Sequence, residues 1–69
     1  MEKLLIKDEY IRLCDALKFC GIAETGGQAK LMIADGEVFV NGALCLMKGK
    51  KLYEEDSFAA FGEEFIIVR

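Results

Sequence analysis

The sequence predicts an α+β domain in which two short helices pack on a small, mainly antiparallel sheet. Three observations lead to this prediction. Apolar residues recur at helical spacing in two stretches, each stretch is followed by a glycine, and the second half of the chain alternates apolar and polar residues around turn-forming dipeptides. Because the 69-residue chain has no proline, no linker and no repeat, we expect residues 1–69 to form one domain.

The first two predicted elements are a strand and a helix. Residues 3–7 alternate loosely, with Leu4 and Ile6 on one side, which predicts a short edge strand. A helix ending at Gly21 is predicted next, because apolar residues there follow the i, i+3, i+4, i+7 spacing of one buried face. The residues of this face are Leu13, Ala16, Leu17 and Cys20.

The second helix has clear start and stop signals. Thr25 followed three residues later by Gln28 is a capping box, in which the Thr25 hydroxyl accepts from the Gln28 amide and the Gln28 side chain reaches back to the Thr25 N–H. The helix is predicted to start near Gly26 and to stop at about Asp35, with Gly36 as a left-handed C-terminal cap. Its buried stripe is Ala29, Met32 and Ile33.

The rest of the chain is predicted to be rich in strands. Val38 and Val40 share one face of a strand that ends at Asn41-Gly42, a dipeptide typical of a tight primed hairpin turn. Further strands are expected around a basic loop at 47–51 and a turn at Gly62: residues 43–47, 52–53, 57–61 and 64–68. The predicted core is Leu4, Ile6, Leu17, Ile33, Val38, Val40, Leu52, Phe58, Phe65 and Ile67.

Composition argues against several classes of protein. No apolar run approaches the roughly 18 residues of a membrane span, and the first six residues are too short for the apolar core of a signal peptide, so we expect a cytoplasmic protein without membrane contact. The chain has no histidine to act as a base, no nucleophile motif and no phosphate-binding loop. We therefore expect neither enzymatic activity nor a cofactor.

The sequence also predicts no metal site and no disulfide. Cys14, Cys20 and Cys45 are odd in number and lack C-x-x-C spacing. Cys14 and Cys20 are six residues apart and would point away from each other on one helix. The thiols are interpreted as small core or boundary residues, with one exposed redox-sensitive thiol as the alternative. The acidic run 54–56 lacks the spaced ligands of a calcium loop and is interpreted as a solvated turn.

The order of these motifs resembles the S4-like (alpha-L) RNA-binding domain, and in particular the small stand-alone bacterial members of the YaaA and YbcJ type. The resemblance runs from about Tyr10 to Asp56. It is carried by Leu13-Cys14-Asp15 and Leu17-Lys18 in the first helix, Thr25-Gly26-Gly27-Gln28-Ala29-Lys30, Gly36-Glu37-Val38, Val40-Asn41-Gly42 and Lys48-Gly49-Lys50-Lys51-Leu52. It implies a monomeric, non-catalytic protein that binds structured RNA, either ribosomal RNA or tRNA, in association with a ribosomal particle.

The resemblance also implies where RNA binds, namely on a surface made by the helix pair and the loop between strands. Two glycines at a helix start let phosphate oxygens approach free amides at the positive end of the helix dipole, although a plain flexible turn is the alternative. The net charge of −3 argues against RNA, but no acid lies between Glu37 and Glu54, where three lysines cluster. The candidate residues are Arg12, Lys18, Thr25, Gly26, Gly27, Gln28, Lys30, Lys48, Lys50 and Lys51.

Two departures from the family pattern carry expectations of their own. Relatives usually have arginine where Met47 and Lys48 stand, and lysine lacks arginine's bidentate phosphate fork, so we expect weaker RNA affinity. Relatives also tend to have Gly-Asp where this chain has Glu55-Asp56. Either Glu55 accepts an unfavourable conformation at a cost of about 1 kcal/mol or the turn differs, and the acids there could repel RNA.

The alternative function is a small protein–protein interaction module. Phe39, Tyr53 or Phe61 would serve as its exposed anchor. The two functions predict different surfaces. An aromatic patch on the same face as the lysines favours RNA, whereas a patch on the opposite face favours a protein partner.

Overall fold

A computed structural model describes residues 1–69, the whole chain. Its elements follow the order β1 (Glu2–Leu5), β2 (Tyr10–Arg12), α1 (Leu13–Phe19), α2 (Gly26–Ala34), β3 (Val38–Val40), β4 (Ala43–Leu44), β5 (Lys51–Tyr53), β6 (Ser57–Ala60) and β7 (Glu63–Val68). The predicted α+β class, with two helices and mainly antiparallel strand pairing, is confirmed. Neither helix is long and apolar enough to cross a membrane.

The main sheet has five strands in the order β1-β7-β6-β3-β4. Its neighbouring strands are antiparallel except β1 and β7, which run parallel. β1 occupies one edge, as predicted, but it spans Glu2–Leu5 rather than residues 3–7. One more bond follows it, from the Ile6 amide N–H to the Val68 carbonyl at 2.9 Å, and the chain then bends away from the sheet.

β2 and β5 form a separate two-stranded antiparallel ribbon. The sequence predicted a strand at residues 52–53 but not its partner, because β2 has only three residues and passes directly into α1. Ile11 and Leu52 lie opposite each other in the ribbon, and both side chains belong to the hydrophobic core. This apolar pair attaches the ribbon to the body of the domain.

The hydrophobic core consists of 15 buried apolar residues drawn from both helices and both sheets. Every predicted core residue except Leu4 belongs to it, and Leu4 is only half-buried because it lies in the edge strand β1. Leu13, Ala16 and Leu17 form the buried face of α1 as predicted, whereas Cys20 is the half-buried residue that caps the helix. The core residues that the sequence did not predict are Ile11, Ala23 and Ala60.

The start and end of α2 agree with the sequence except in one bond. The Thr25 hydroxyl accepts from the Gln28 amide N–H at 3.1 Å, and the helix runs from Gly26 to Ala34. The Gln28 side chain, however, accepts from the Glu24 amide N–H at 2.6 Å and not from that of Thr25. The Gln28 side chain therefore holds the main chain of Glu24, the residue that precedes the N-cap Thr25.

The hairpin turn after β3 is as predicted, but the strand that follows it is shorter. Asn41 and Gly42 both have positive φ, at 51° and 83°. The prediction of a strand over residues 43–47 was wrong, since β4 ends at Leu44 and its last bond to β3 comes from the Cys45 amide. Beyond Cys45 the chain leaves the sheet and crosses to the start of α1. There the carbonyls of Lys48 and Lys50 accept hydrogen bonds from the first amides of the helix.

The acidic turn between β5 and β6 keeps its geometry despite the missing glycine. Glu55 has φ = 76°, so it accepts the left-handed conformation at a cost of about 1 kcal/mol. The Asp56 carboxylate offsets this strain, because it accepts from the Tyr53 amide N–H at 2.8 Å and from the Asn41 side-chain amide at 3.2 Å. Asp56 therefore has a structural role that links the two turns.

Candidate nucleic-acid interface

The exposed face of the β2–β5 ribbon carries two cross-strand pairs. Tyr10 lies opposite Tyr53, and Arg12 lies opposite Lys51. Side chains alternate along a strand, so these four residues share one face, while the apolar pair between them points into the core. We call this set of four residues the ribbon face.

The two tyrosines fix the position of the lysine beside them. The ring centroids of Tyr10 and Tyr53 are 5.8 Å apart with the planes tilted by 48°. The Lys51 ammonium nitrogen lies 4.8 Å from the Tyr10 ring centroid, within the range of a cation–π contact. The ring therefore orients a positive charge that remains exposed to solvent.

The pairing of Arg12 with Lys51 places two positive charges on neighbouring strands. Like charges directly opposite each other destabilise a sheet by a few tenths of a kcal/mol or more. No side-chain hydrogen bond of the structure uses a lysine or arginine, so neither charge is satisfied within the chain. An anion bound at this face would remove the repulsion, and a phosphate group has the charge and the oxygens to do so.

The basic turn next to the ribbon face is held rigidly by α1. Arg12 is the N-cap of α1 and makes no side-chain cap. Instead, the first two amides of the helix, those of Leu13 and Cys14, donate to the carbonyls of Lys50 and Lys48 at 2.8 and 3.2 Å. The turn carbonyls thus satisfy donors that every helix start leaves free. The lysine side chains of the turn are exposed on a fixed backbone.

One detail of this turn differs from the sequence prediction. Lys51 was assigned to the loop, but it lies in β5 and pairs with Arg12. The Arg12 guanidinium lies beside the basic turn, since a Cβ added at Gly49 would be 3.7 Å from the Nη1 atom of Arg12. The structure therefore brings Arg12, Lys48, Lys50 and Lys51 together at the start of α1.

The start of α2 presents the second group of candidate residues. The Thr25 hydroxyl is engaged within the fold, because it accepts the capping hydrogen bond from the Gln28 amide N–H. The amides of Gly26 and Gly27 are the first two of the helix and have no acceptor within it. A Cβ at Gly26 would meet nothing within 4 Å and one at Gly27 would meet only the Thr25 hydroxyl at 3.9 Å. Packing within the domain thus does not require glycine at either position.

The two groups lie near opposite ends of α1. The Ala23 amide donates to the Leu17 carbonyl at 3.0 Å, which places the connection to α2 beside the last turn of α1, where Lys18 is exposed. Thr25 follows two residues later, within about 7 Å along the chain. A helix of seven residues is about 10 Å long. The candidate residues therefore form two groups, one near each end of α1, rather than a single cluster. Lys30 is exposed in α2, in the second group.

Tyr10 is not among the candidate residues that the sequence indicated, because the alternation of Tyr10-Ile11-Arg12 is only three residues long. Of the three proposed anchors for a protein partner, Tyr53 lies on the ribbon face with Lys51. Phe39 lies in β3, and Phe61 lies in the turn between β6 and β7 with φ = 52°. The aromatic pair therefore shares a face with the positive charges, which favours RNA by the criterion stated above.

The three thiols are not among the candidate RNA-binding residues. Cys14, Cys20 and Cys45 are free and half-buried, and all three pack against the core. Burial raises the pKa of the Cys20 thiol, which donates to the Leu17 carbonyl at 3.5 Å. The structure has no group of three or more His, Cys, Asp or Glu side chains that could hold a metal ion.

Comparison with known proteins identifies relatives of the chain over most of its length. Residues 4–68 match the family described as the S4 domain. The chain is 37% identical over 62 residues to YbcJ of Escherichia coli strain K12 and to YbcJ of Shigella flexneri, covering 90% of this chain and 89% of each relative. The solution structure of Escherichia coli YbcJ is similar with a TM-score of 0.75 and 34% identity, over 100% of this chain and 89% of that one. That structure is described as revealing an alfaL motif involved in RNA binding.

Proposed function

The chain belongs to the S4 domain family, and we propose that it binds structured RNA without catalysing a reaction. One observation carries this proposal. Arg12 and Lys51 lie opposite each other with no hydrogen-bond partner for either charge, beside the turn from which the side chains of Lys48 and Lys50 are exposed. Four positive side chains on a backbone that is hydrogen-bonded to α1 and to β2 fit the phosphates of an RNA helix, since little loop entropy is lost on binding. The relationship to YbcJ supports the same ligand.

The proposed contact is local, which reconciles it with a net charge of −3. The four positive side chains lie together at one end of α1, whereas Asp56 in the acidic turn is engaged in hydrogen bonds within the fold. Exposed charges more than about 10 Å apart are largely screened at 0.1 M salt. Distant acids therefore weaken binding less than the net charge implies, while Glu54 and Glu55 at the end of β5 act against it.

The start of α2 supplies the second proposed contact. Free amides at Gly26 and Gly27 face outward at the positive end of the helix dipole, and Lys30 is exposed one turn further on. Thr25 and Gln28 hold this helix start in place, and Lys18 adds a charge from the last turn of α1. We propose that RNA phosphates are held in two places, one near each end of α1.

The RNA is proposed to be double-stranded or otherwise structured, and recognised by shape. Base edges in an A-form duplex are poorly accessible, so sequence preference should be weak. We propose ribosomal RNA or tRNA as the ligand class, bound by a cytoplasmic monomer in association with a ribosomal particle, with no cofactor and no metal. Lysine at position 48 and methionine at 47 predict weaker affinity than arginine at these positions.

A titration of purified protein with a labelled RNA hairpin over a range of salt concentrations tests this function. With about 3 or 4 phosphate contacts, log K should fall with log salt at a slope of about −2 to −4. Fluorescence anisotropy measures the affinity at each salt concentration. An affinity that does not depend on salt, or no binding at 50 mM salt, would overturn the proposal.

A protein-interaction module remains the second candidate function, and one observation favours it. Leu44, Leu46 and Met47 are 55, 60 and 64% exposed and line a groove of about 440 Å³ beside Lys50. Exposed apolar groups of this size often mark contact surfaces for other proteins. The three apolar residues differ from the anchors that the sequence indicated, which were Phe39, Tyr53 or Phe61. The groove lies beside the basic turn rather than opposite to it.

A further inference from the structure

A cleft of about 680 Å³ lies between α1 and the segment that joins β1 to β2. Its volume is within the range of ligand pockets, about 300–1,000 Å³. Arg12 lines it and also belongs to the ribbon face, so the cleft opens directly beside the proposed phosphate contacts. A ligand that enters this cleft can therefore be part of the RNA that the ribbon face holds.

Two large apolar side chains line the cleft without being buried. Leu5 at the end of β1 and Phe19 at the end of α1 are each 70% exposed. Phe19 follows the buried face of α1 without belonging to it, so the fold gives no reason for an aromatic ring there. A ring exposed at the edge of a cleft provides a stacking surface, which is how proteins hold unpaired bases.

Three polar side chains of the cleft, those of Arg12, Asp15 and Lys18, follow one another at helical spacing along α1 and its N-cap. Asp15 is three residues from Arg12 and three residues from Lys18, so a carboxylate stands between two positive charges, with Phe19 four residues further along the same face. Lys7 adds a third positive charge from the opposite wall, with Asp8 next to it. Positive groups suit a phosphate, a carboxylate accepts from the amino group of a base, and an aromatic ring stacks on the base.

We propose that this cleft binds one unpaired nucleotide, such as a bulged base, that extends from the RNA duplex held by the ribbon face. The inference rests on the proposed RNA-binding function and adds the structural feature of the RNA that is recognised. An unpaired nucleotide combines an anionic phosphate group, hydrogen-bonding groups on the base edge, which include an amino donor in cytosine, and a flat aromatic ring. The three kinds of side chain in the cleft match these three parts.

The test compares two RNA hairpins that differ by one bulged nucleotide next to an otherwise identical stem. The parent protein should bind the bulged hairpin about tenfold more tightly than the perfect stem, measured by fluorescence anisotropy at one salt concentration. F19A should lose this preference while binding the perfect stem as the parent does. L31A is the matched control, since Leu31 is 66% exposed on α2 and does not line the cleft, and it should keep the preference.

A second variant separates the base contact from stacking. D15N keeps the size of the side chain, so the protein should fold normally as judged by its melting temperature, but the amide can no longer act as a charged acceptor. The D15N substitution should reduce the preference for a bulged cytosine more than that for a bulged uracil. Cytosine has an N4 amino donor at the position where uracil has the O4 acceptor. Equal effects on the two bases would overturn the assignment of Asp15.

The outcomes distinguish this inference from the function on which it rests. If the parent binds both hairpins equally, or if F19A weakens both alike, the nucleotide site is wrong while RNA binding stands, and the exposed Phe19 then points to a protein contact. If the parent binds neither hairpin at low salt, the proposed function itself fails and the nucleotide site fails with it.

Discussion

Arg12 and Lys51 lie directly opposite each other on the exposed face of the β2–β5 ribbon. Two like charges in this arrangement lower the stability of a small domain that buries only about 60% of the surface exposed in its unfolded chain. The cation–π contact of Lys51 with Tyr10 offsets part of this cost, at about 0.5–1 kcal/mol for an exposed site. An anion bound between the two side chains, as the proposed function requires, would remove the rest of this cost.

Replacing Lys51 by glutamate separates the two effects. The K51E variant exchanges repulsion from Arg12 for attraction and loses the contact with the Tyr10 ring, so the free energy of unfolding should change by less than about 0.5 kcal/mol. RNA affinity at low salt should fall about tenfold or more, since one charge-assisted contact is lost. Thermal melting followed by circular dichroism and fluorescence anisotropy with an RNA hairpin measure the two quantities in one buffer.

K3E is the matched control for this variant. Lys3 is exposed in β1, outside the candidate site, and its replacement changes the net charge by the same amount. If K3E weakens RNA binding as much as K51E does, the effect comes from the overall charge and not from the ribbon face.

The basic turn should be needed for binding but not for folding. The main-chain carbonyls of Lys48 and Lys50 hold α1, whereas their side chains are exposed, so K48E/K50E should unfold with nearly the parent free energy, within about 0.5 kcal/mol per substitution. RNA affinity should collapse, and the salt slope should become shallower by about 2. A double variant that binds RNA like the parent would leave the turn as a solvated surface and favour the protein-interaction function.

Local signals in the sequence predicted much of the fold correctly. Thr25 and Gln28 begin α2, and the Asn41-Gly42 turn has the positive φ angles that its residue types favour. These features depend on residues close together in the chain, which is why spacing alone reveals them.

The ribbon face could not be predicted in the same way. It requires β2 and β5 to pair across a separation of about forty residues, and neither strand is longer than three residues. The end of β4 at Leu44 has a similar cause, because residues 48–50 bond to α1 and draw an apolar, strand-like segment away from the sheet. Long-range pairing of this kind leaves almost no periodic signal in the sequence.

The thiols provide a test that does not involve RNA. A thiolate is the species that reacts with alkylating reagents, and burial raises the pKa of Cys20, so less of it is ionised at pH 8 than in the unfolded chain. Iodoacetamide should label Cys20 slowly in the native protein and quickly in denaturant, with the native rate still rising above pH 9. Mass spectrometry of the labelled peptides measures both rates. Rapid native labelling of any thiol would support the redox-sensitive alternative.

The start of α2 allows folding and binding to be separated with two adjacent substitutions. T25A removes the hydroxyl that accepts from the Gln28 amide, which should cost about 1 kcal/mol and lower the melting temperature by about 4–8 °C. G27V has the opposite character, because φ at Gly27 is not positive and a Cβ there meets only the Thr25 hydroxyl at 3.9 Å, so folding should be nearly unaffected. If a phosphate oxygen approaches the free amides of Gly26 and Gly27, the added bulk should still weaken RNA binding severalfold, as measured by anisotropy below the melting temperature of both variants. Should G27V bind RNA as tightly as the parent, the phosphate contacts are confined to the ribbon face and the basic turn, and the two glycines are only a flexible start to the helix.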